Sequence, residues 1–196
     1  MENMLNEPAL KYNFCSLEEY IEIEATSAGK NEYYNGQLVV MQGASLNHNR
    51  IVANLIKSIG NNLSSKGCEI LPSDVRLKVS AANNVYVYPD AMIICGKPEL
   101  TDDKFDTVTN PAVLFEVISE SSENNDRRKF FYYMQMSGVK EIIMVNSYDQ
   151  VKVEVGVKQE NGSWQITTYT SPENEITLLL FSEPISLKSI YQNITF

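Results

Sequence analysis

Glu116 interrupts an otherwise apolar run, Ala112-Val113-Leu114-Phe115-Glu116-Val117-Ile118, which has the length and β-branched content of a buried strand. Glu is almost never buried without a partner, because an isolated carboxylate is costly to remove from water. The chain therefore has to supply a cation, a hydrogen-bond network or a metal beside it. A second carboxylate, Asp90, ends the strand-like run Val85-Tyr86-Val87-Tyr88-Pro89-Asp90, and Lys129 follows on a segment with helical spacing. Two carboxylates on core strands with an ammonium nearby suit a metal site for phosphodiester chemistry. A hard divalent cation takes oxygen ligands, polarises the phosphoryl group and lowers the pKa of an attacking water. The lysine then stabilises the charge that develops.

Each of these residues also has a plainer reading. Glu116 could make a structural ion pair, and Asp90 could be turn chemistry after Pro89. Lys129 closes the cluster Asp126-Arg127-Arg128-Lys129, and a charge run at a helix start is usually a solvated face. Glu32 beside a hairpin would usually face solvent. His48 lies four residues before Val52, on the apolar face of its helix, where a satisfied buried histidine is the plain expectation. Tyr132 and Tyr133 read as core or interface residues, and Trp164 as packing.

The elements that must hold these groups follow from pattern. Residues 1–12 are polar and unpatterned and read as a loose terminus, with 13–196 as one domain. Ser16-Leu17-Glu18-Glu19 is a capping box opening a helix, and Asn35-Gly36 marks a hairpin within Glu32 to Met41. Ser45 caps a long helix with an apolar face of Val52, Leu55, Ile56, Ile59 and Leu63, which Gly67 can end. Glu69 to Val79 and Val85 to Ile94 read as strands joined by a turn at 81–84, and Gly96 to Pro111 as a surface loop. After the Glu116 strand, Asp126 to Ser137 is helical and Glu141 to Val145 is a buried strand. Alternating strands then run over Val151–Val157, Trp164–Tyr169 and Ile176–Phe181, with a turn at Asn161-Gly162. This order predicts an α/β fold with a mixed central β-sheet flanked by helices and additional C-terminal antiparallel strands.

The 196 residues, 43% hydrophobic and 21% charged, are ordinary for a globular chain. No apolar run is long enough to span a membrane, and the N-terminus lacks the order of a signal peptide. Cys15, Cys68 and Cys95 show no CxxC pairing, so the expectation is unpaired thiols, with Cys95 a small buried hydrophobe, in a reducing cytoplasm. The net charge of −9 opposes sequence-independent DNA binding, which depends on Lys and Arg neutralising phosphates. A nucleic-acid enzyme of this composition needs a local basic patch, a metal or a partner.

The constellation resembles the PD-(D/E)xK nuclease superfamily, and within it the Uma-type restriction-endonuclease family. The resemblance is carried by Glu32-Tyr33-Tyr34-Asn35-Gly36-Gln37-Leu38, Ser45-Leu46-Asn47-His48, Pro89-Asp90 and Phe115-Glu116-Val117-Ile118-Ser119. It continues through Asp126 to Lys129 and Tyr133, and Gly138-Val139-Lys140-Glu141. It implies a restriction-endonuclease-like core in which Asp90 and Glu116 hold Mg²⁺ or Mn²⁺, with the Val117 carbonyl as a further ligand. Lys129 would be the catalytic lysine and Glu32 an additional acid, and His48 matches a histidine of the family pattern. It further implies a DNA substrate and a homodimer.

The chain departs from the superfamily motif in having Ile118 two residues after Glu116, so the cation comes from the following helix. The segment to Lys129 is one residue short, which leaves Arg128 as a rival. Glu120 replaces the usual proline after Ser119. A non-catalytic nuclease-fold module binding nucleic acid or a protein is the alternative function. An unrelated scaffold, with Asp90 and Glu116 apart and separately paired, is a third.

Overall fold

The computed structural model describes residues 13–63, 67–80, 84–101, 107–180 and 183–196. The loose terminus expected at 1–12 lies outside these residues, as do parts of the turn after Ser80 and of the 96–111 connection. In chain order the elements are β1 (Asn13–Phe14), α1 (Leu17–Thr26), β2 (Asn31–Tyr34), β3 (Gln37–Val40), α2 (Leu46–Leu63) and β4 (Cys68–Pro72). Then come β5 (Arg76–Ser80), β6 (Val85–Val87), β7 (Ala91–Cys95), β8 (Thr107–Val108), β9 (Val113–Ile118) and α3 (Glu123–Met134). The chain closes with β10 (Glu141–Asn146), β11 (Val153–Lys158), β12 (Trp164–Tyr169), β13 (Glu175–Ile176), β14 (Ile185–Ser186) and α4 (Leu187–Ile190).

Among the described residues, two six-stranded sheets carry the fold, ordered β1-β3-β2-β6-β5-β8 and β12-β11-β10-β9-β7-β4. The second is mixed: β9 and β10 are parallel with α3 as their crossover, and its other pairings are antiparallel. The expected mixed sheet with helices and added C-terminal antiparallel strands is present.

One long hairpin ties the sheets together. Its base pairs β4 with β7, from Cys68↔Cys95 to Pro72↔Ala91, in one sheet. Its outer half pairs β5 with β6, from Leu77↔Val87 to Ser80↔Val85, in the other. The arms bend at Pro72 and near Pro89, where a missing backbone N–H ends the ladder. The continuous strands expected over 69–79 and 85–94 are therefore each two strands in different sheets. Asp90 sits at this bend.

Local chemistry explains the neighbouring elements. Ser16 and Glu19 form the reciprocal capping box of α1. Asn35 and Gly36 both take positive φ, 51° and 100°, as a tight two-residue hairpin turn requires. Ser45 Oγ accepts the His48 amide at the start of α2. The buried stripe of α2 is Ile51, Leu55, Ile59 and Leu63, with Val52 only partly covered. The stripe is thus rotated slightly from the expected face.

Strand alternation sorts β9 cleanly. Val113, Phe115 and Val117 join the core under α2 and α4, whereas Leu114 and Ile118 join a second core with α3 and the first sheet. Glu116, of the same parity as Leu114 and Ile118, points toward α3.

Three other expectations are corrected. The 96–111 connection contains β8, whose buried Thr107 pairs with Arg76 in parallel register. The strand expected from Ile176 is reduced to β13, paired with β14 and followed by α4. Cys68 and Cys95 are not free thiols: they form a disulfide with Cα atoms 4.0 Å apart, because the hairpin sets them directly opposite each other. That register is invisible in a sequence separation of 27. Cys15 is a free cysteine. Among the described residues no helix is long and apolar enough to cross a membrane.

Candidate functional site

Where the two sheets meet, four carboxyl groups and one ammonium are buried together. Glu32, Glu116, Asp126 and Lys129 are each at most 4% exposed, and the Asp90 side chain is 14% exposed. Glu32 comes from β2, Asp90 from the hairpin bend and Glu116 from the centre of β9. Asp126 and Lys129 stand three residues apart on one face of α3. Lys129 Nζ lies 2.8 Å from Glu116 Oε2, 3.1 Å from Asp126 Oδ1 and 3.4 Å from Glu32 Oε1.

Hydrogen bonds fix each carboxylate further. The Tyr133 hydroxyl donates to Glu116 Oε1 at 2.5 Å, and the Tyr34 hydroxyl to Glu32 Oε2 at 2.7 Å. Asn125 Nδ2 and the Tyr88 amide also donate to Glu32, and Ser122 Oγ donates to Asp126 Oδ2. Asp90 Oδ2 accepts from the Val117 amide at 2.7 Å and contacts His48 Nε2 at 3.2 Å.

Of the predicted residues, Lys129 thus contacts both Glu116 and Glu32, and Asp90 lies within electrostatic reach of Glu116, Asp126 and Lys129. Lys129 rather than Arg128 faces the carboxylates. Arg128 stacks 3.8 Å over the Tyr34 ring and donates to Asn125 Oδ1. The solvated-face readings of Glu32 and of the Asp126–Lys129 cluster fail, because α3 lays this turn against β9. His48 is not a fully satisfied histidine: Nε2 meets Asp90, while its enclosed Nδ1 has no partner among the described residues.

Sequence reasoning missed Tyr34, Tyr133, Asn125 and Asp126 as members of the cluster. For the last three, a signal existed: positions 125, 126 and 133 are four before, three before and four after Lys129, so all border its helical face.

The electrostatics show a surplus of buried negative charge. Burial pushes the Glu116 carboxyl well above its ordinary range, and the Asp126 and Asp90 charges push it further, against the pull of Lys129. Asp126 is raised too, by burial and by Asp90, despite Lys129 and Ser122. Burial alone would lower Lys129, yet Glu116, Glu32 and Asp126 hold its ammonium well above the usual value. At Asp90 burial raises the carboxyl, but His48, Lys129 and the Val117 amide outweigh it and the net shift is downward. Asp90 is ionised, and its neighbours lack a full complement of cations.

This donor set suits a hard divalent ion of the kind held by two carboxylates with water completing the shell. Among the described residues, no three His, Cys, Asp or Glu side chains form a closed ligand group. A resident cation here would rest on Asp90 and Glu116 and would relieve the excess negative charge.

Known proteins match this architecture. A solved structure titled "putative nuclease belonging to DUF820", from Anabaena variabilis, superposes with a TM-score of 0.74 at 13% identity, covering 90% of this chain and 97% of its own. The common fold is that of restriction-endonuclease-like nucleases. Two uncharacterized proteins of Synechocystis sp. are similar in sequence. The first, sll1609, is 31% identical over 81% of this chain and 89% of its own length. The second, slr1290, is 29% identical over 96% of this chain and 97% of its own. The family model described as "Putative restriction endonuclease", Uma2, matches residues 17–188, and the chain belongs to that family.

Proposed function

We propose that the protein is a divalent-metal-dependent endodeoxyribonuclease that hydrolyses DNA phosphodiester bonds, and that it works as a homodimer acting on both strands. The observation that carries this reading is the buried cluster itself, in which Lys129 is shared by Glu32, Glu116 and Asp126 beside Asp90. Structural ion pairs do not need several carboxyl groups around one ammonium, and such an excess is costly to bury unless further positive charge is recruited.

Asp90 and Glu116 are the residues that would hold Mg²⁺ or Mn²⁺, with the Val117 carbonyl as a further oxygen. When bound, the ion supplies Lewis acidity toward the phosphoryl group and toward the attacking water. Lys129 lies against Glu116 and offers a positive charge to the pentavalent transition state. Glu32, held by Tyr34 and Asn125, accepts a proton from water or orients it. Tyr133 keeps the Glu116 carboxylate in one rotamer.

One observation favours the alternative of a non-catalytic nucleic-acid or protein-binding module: both Glu116 oxygens already have protein donors, Lys129 and Tyr133. Plasmid cleavage separates the two. The enzyme reading expects nicking or linearisation of supercoiled DNA that requires Mg²⁺ or Mn²⁺, stops with chelator, and is lost in Lys129→Met. Metal-independent DNA retention without cleavage would instead select the binding module.

A further inference from the structure

From α2, the polar side chain of His48 reaches the cluster at Asp90, and the nuclease reading leaves it without a task. Its ring reaches Asp90 through Nε2, 3.2 Å from Oδ2, while Nδ1 is enclosed with no hydrogen-bond partner among the described residues. A carboxylate only accepts, so Nε2 carries the hydrogen in this contact. The same Oδ2 accepts the Val117 amide at 2.7 Å. The β7–β9 ladder ends at Ala91↔Phe115, two residues before Val117, so the Val117 amide turns to the Asp90 side chain just past the last pair. The Asp90 carboxylate thus caps the end of the β7–β9 ladder, and one of its oxygens takes both donors. Among the described residues, no group donates to Oδ1, and the side chain retains 14% exposure.

We infer that His48 is a positioning residue: with the Val117 amide it pins Asp90 Oδ2, so that Oδ1 is the oxygen presented to a divalent cation. The inference rests on the proposed metal-dependent reading. It assigns the two oxygens of one carboxylate to different tasks, one structural and one ligating. Hydrogen bonds behind a ligating carboxylate typically change metal affinity by ten- to a hundredfold when removed.

The test compares His48→Leu, which removes the donor, with His48→Gln, whose Nε2 reaches the position of the imidazole Nε2. Calorimetric titration with Mn²⁺ alone should show about a tenfold weakening for the leucine variant and recovery to within about threefold of wild type for glutamine. In the metal-free protein, hydrogen exchange at the Val117 amide should accelerate in His48→Leu and stay near wild type in His48→Gln. This second measurement does not depend on metal. If His48→Leu does not fold, His48→Phe takes its place with the same expectations. Equal Mn²⁺ affinity and equal Val117 exchange in all variants would overturn the inference, as would equal weakening by leucine and glutamine. Asp90→Asn separates the two levels. If it leaves Mn²⁺ affinity unchanged, the metal reading itself fails; if it abolishes binding while His48→Leu does nothing, only the positioning role fails.

Discussion

Glu116 on β9 and Glu141 on β10 are buried on adjacent strands of one sheet, at 1% and 0% exposure, in chemically different surroundings. Glu116 faces α3 and meets Lys129 and Tyr133 with a second carboxylate, Asp126, beside them. Glu141 shares the parity of Ile143 and Val145, on the α2 and α4 side. Its Oε2 accepts the Leu179 amide at 2.8 Å, and among the described residues its Oε1 has no partner. Burial raises both carboxyls, Glu141 to about 7. Burial of a carboxylate is therefore not what marks the site. Convergence of several charged chains from different elements is, because only convergence creates a charge deficit that a ligand can fill.

The sharpest way to break this comparison is to neutralise each glutamate in turn. Glu116→Ala should lower metal-dependent DNA cleavage roughly a thousandfold and abolish measurable Mn²⁺ binding, whereas Glu141→Gln should leave both at wild-type level. Cleavage assays with calorimetry decide it, and equal losses from the two changes would erase the distinction. Next in size is the stability carried by Lys129. Lys129→Met leaves Glu32, Glu116 and Asp126 without their shared ammonium, which should cost about 3–5 kcal/mol at neutral pH. The loss should shrink in acid, where Glu116 and Asp126, whose carboxyls burial already raises, take up protons. Urea titrations of wild type and variant at two pH values measure this.

How much of this was legible in the sequence differs between the two glutamates. Glu116 stood out because apolar residues flank it on both sides, and the strand pattern alone exposed it. Glu141 opens its run, Glu141-Ile142-Ile143-Met144-Val145, where a polar residue looks like an ordinary strand boundary. Helices, the Asn35-Gly36 turn and the β9 and β10 strands were readable because their periodicity is local. The hairpin bend was not: Pro72 and Pro89 were visible, but their being opposite each other depends on pairing between strands. The Cys68–Cys95 bond was hidden for the same reason. Lys129 looked solvated because a charge run says nothing about which turn of α3 faces the sheet. The family resemblance singles out Lys129 and Glu32, which residue patterns alone leave facing water and which the fold buries side by side.

A pH titration sharpens the comparison at Glu141. Its folded carboxyl titrates at about 7 against an ordinary 4.5, so between those values the folded protein binds the extra proton. Stability should be greatest below pH 4.5 as far as this group is concerned. It should fall as pH rises to 7, by about 3 kcal/mol in all. Glu141→Gln removes the titration, so its advantage over wild type should grow across that window and level off above it. Thermal unfolding at pH 5 and pH 8 reads the difference. A constant offset between the two proteins would show that Glu141 does not change its proton occupancy on unfolding.

The smallest effect tests whether the Glu116 side of the comparison depends on how α3 is seated. Gly156 on β11 lies under Phe130, the residue after Lys129. A Cβ there would stand 3.1 Å from Phe130 Cζ and 3.3 Å from Cε2. Phe130 is buried between α3 and the sheet, so its ring has little room to retreat. Alanine gains roughly 0.5–1 kcal/mol over glycine in a strand through backbone entropy, but overpacking of this kind costs about 1–3 kcal/mol. Gly156→Ala should therefore destabilise by about 1 kcal/mol net. Because Lys129 and Tyr133 ride on the same helix, Mn²⁺ affinity should fall by about threefold, while the pH dependence contributed by Glu141 stays as in wild type. A stability loss with unchanged Mn²⁺ affinity would mean that the carboxylate cluster holds Lys129 in place without help from the helix–sheet contact.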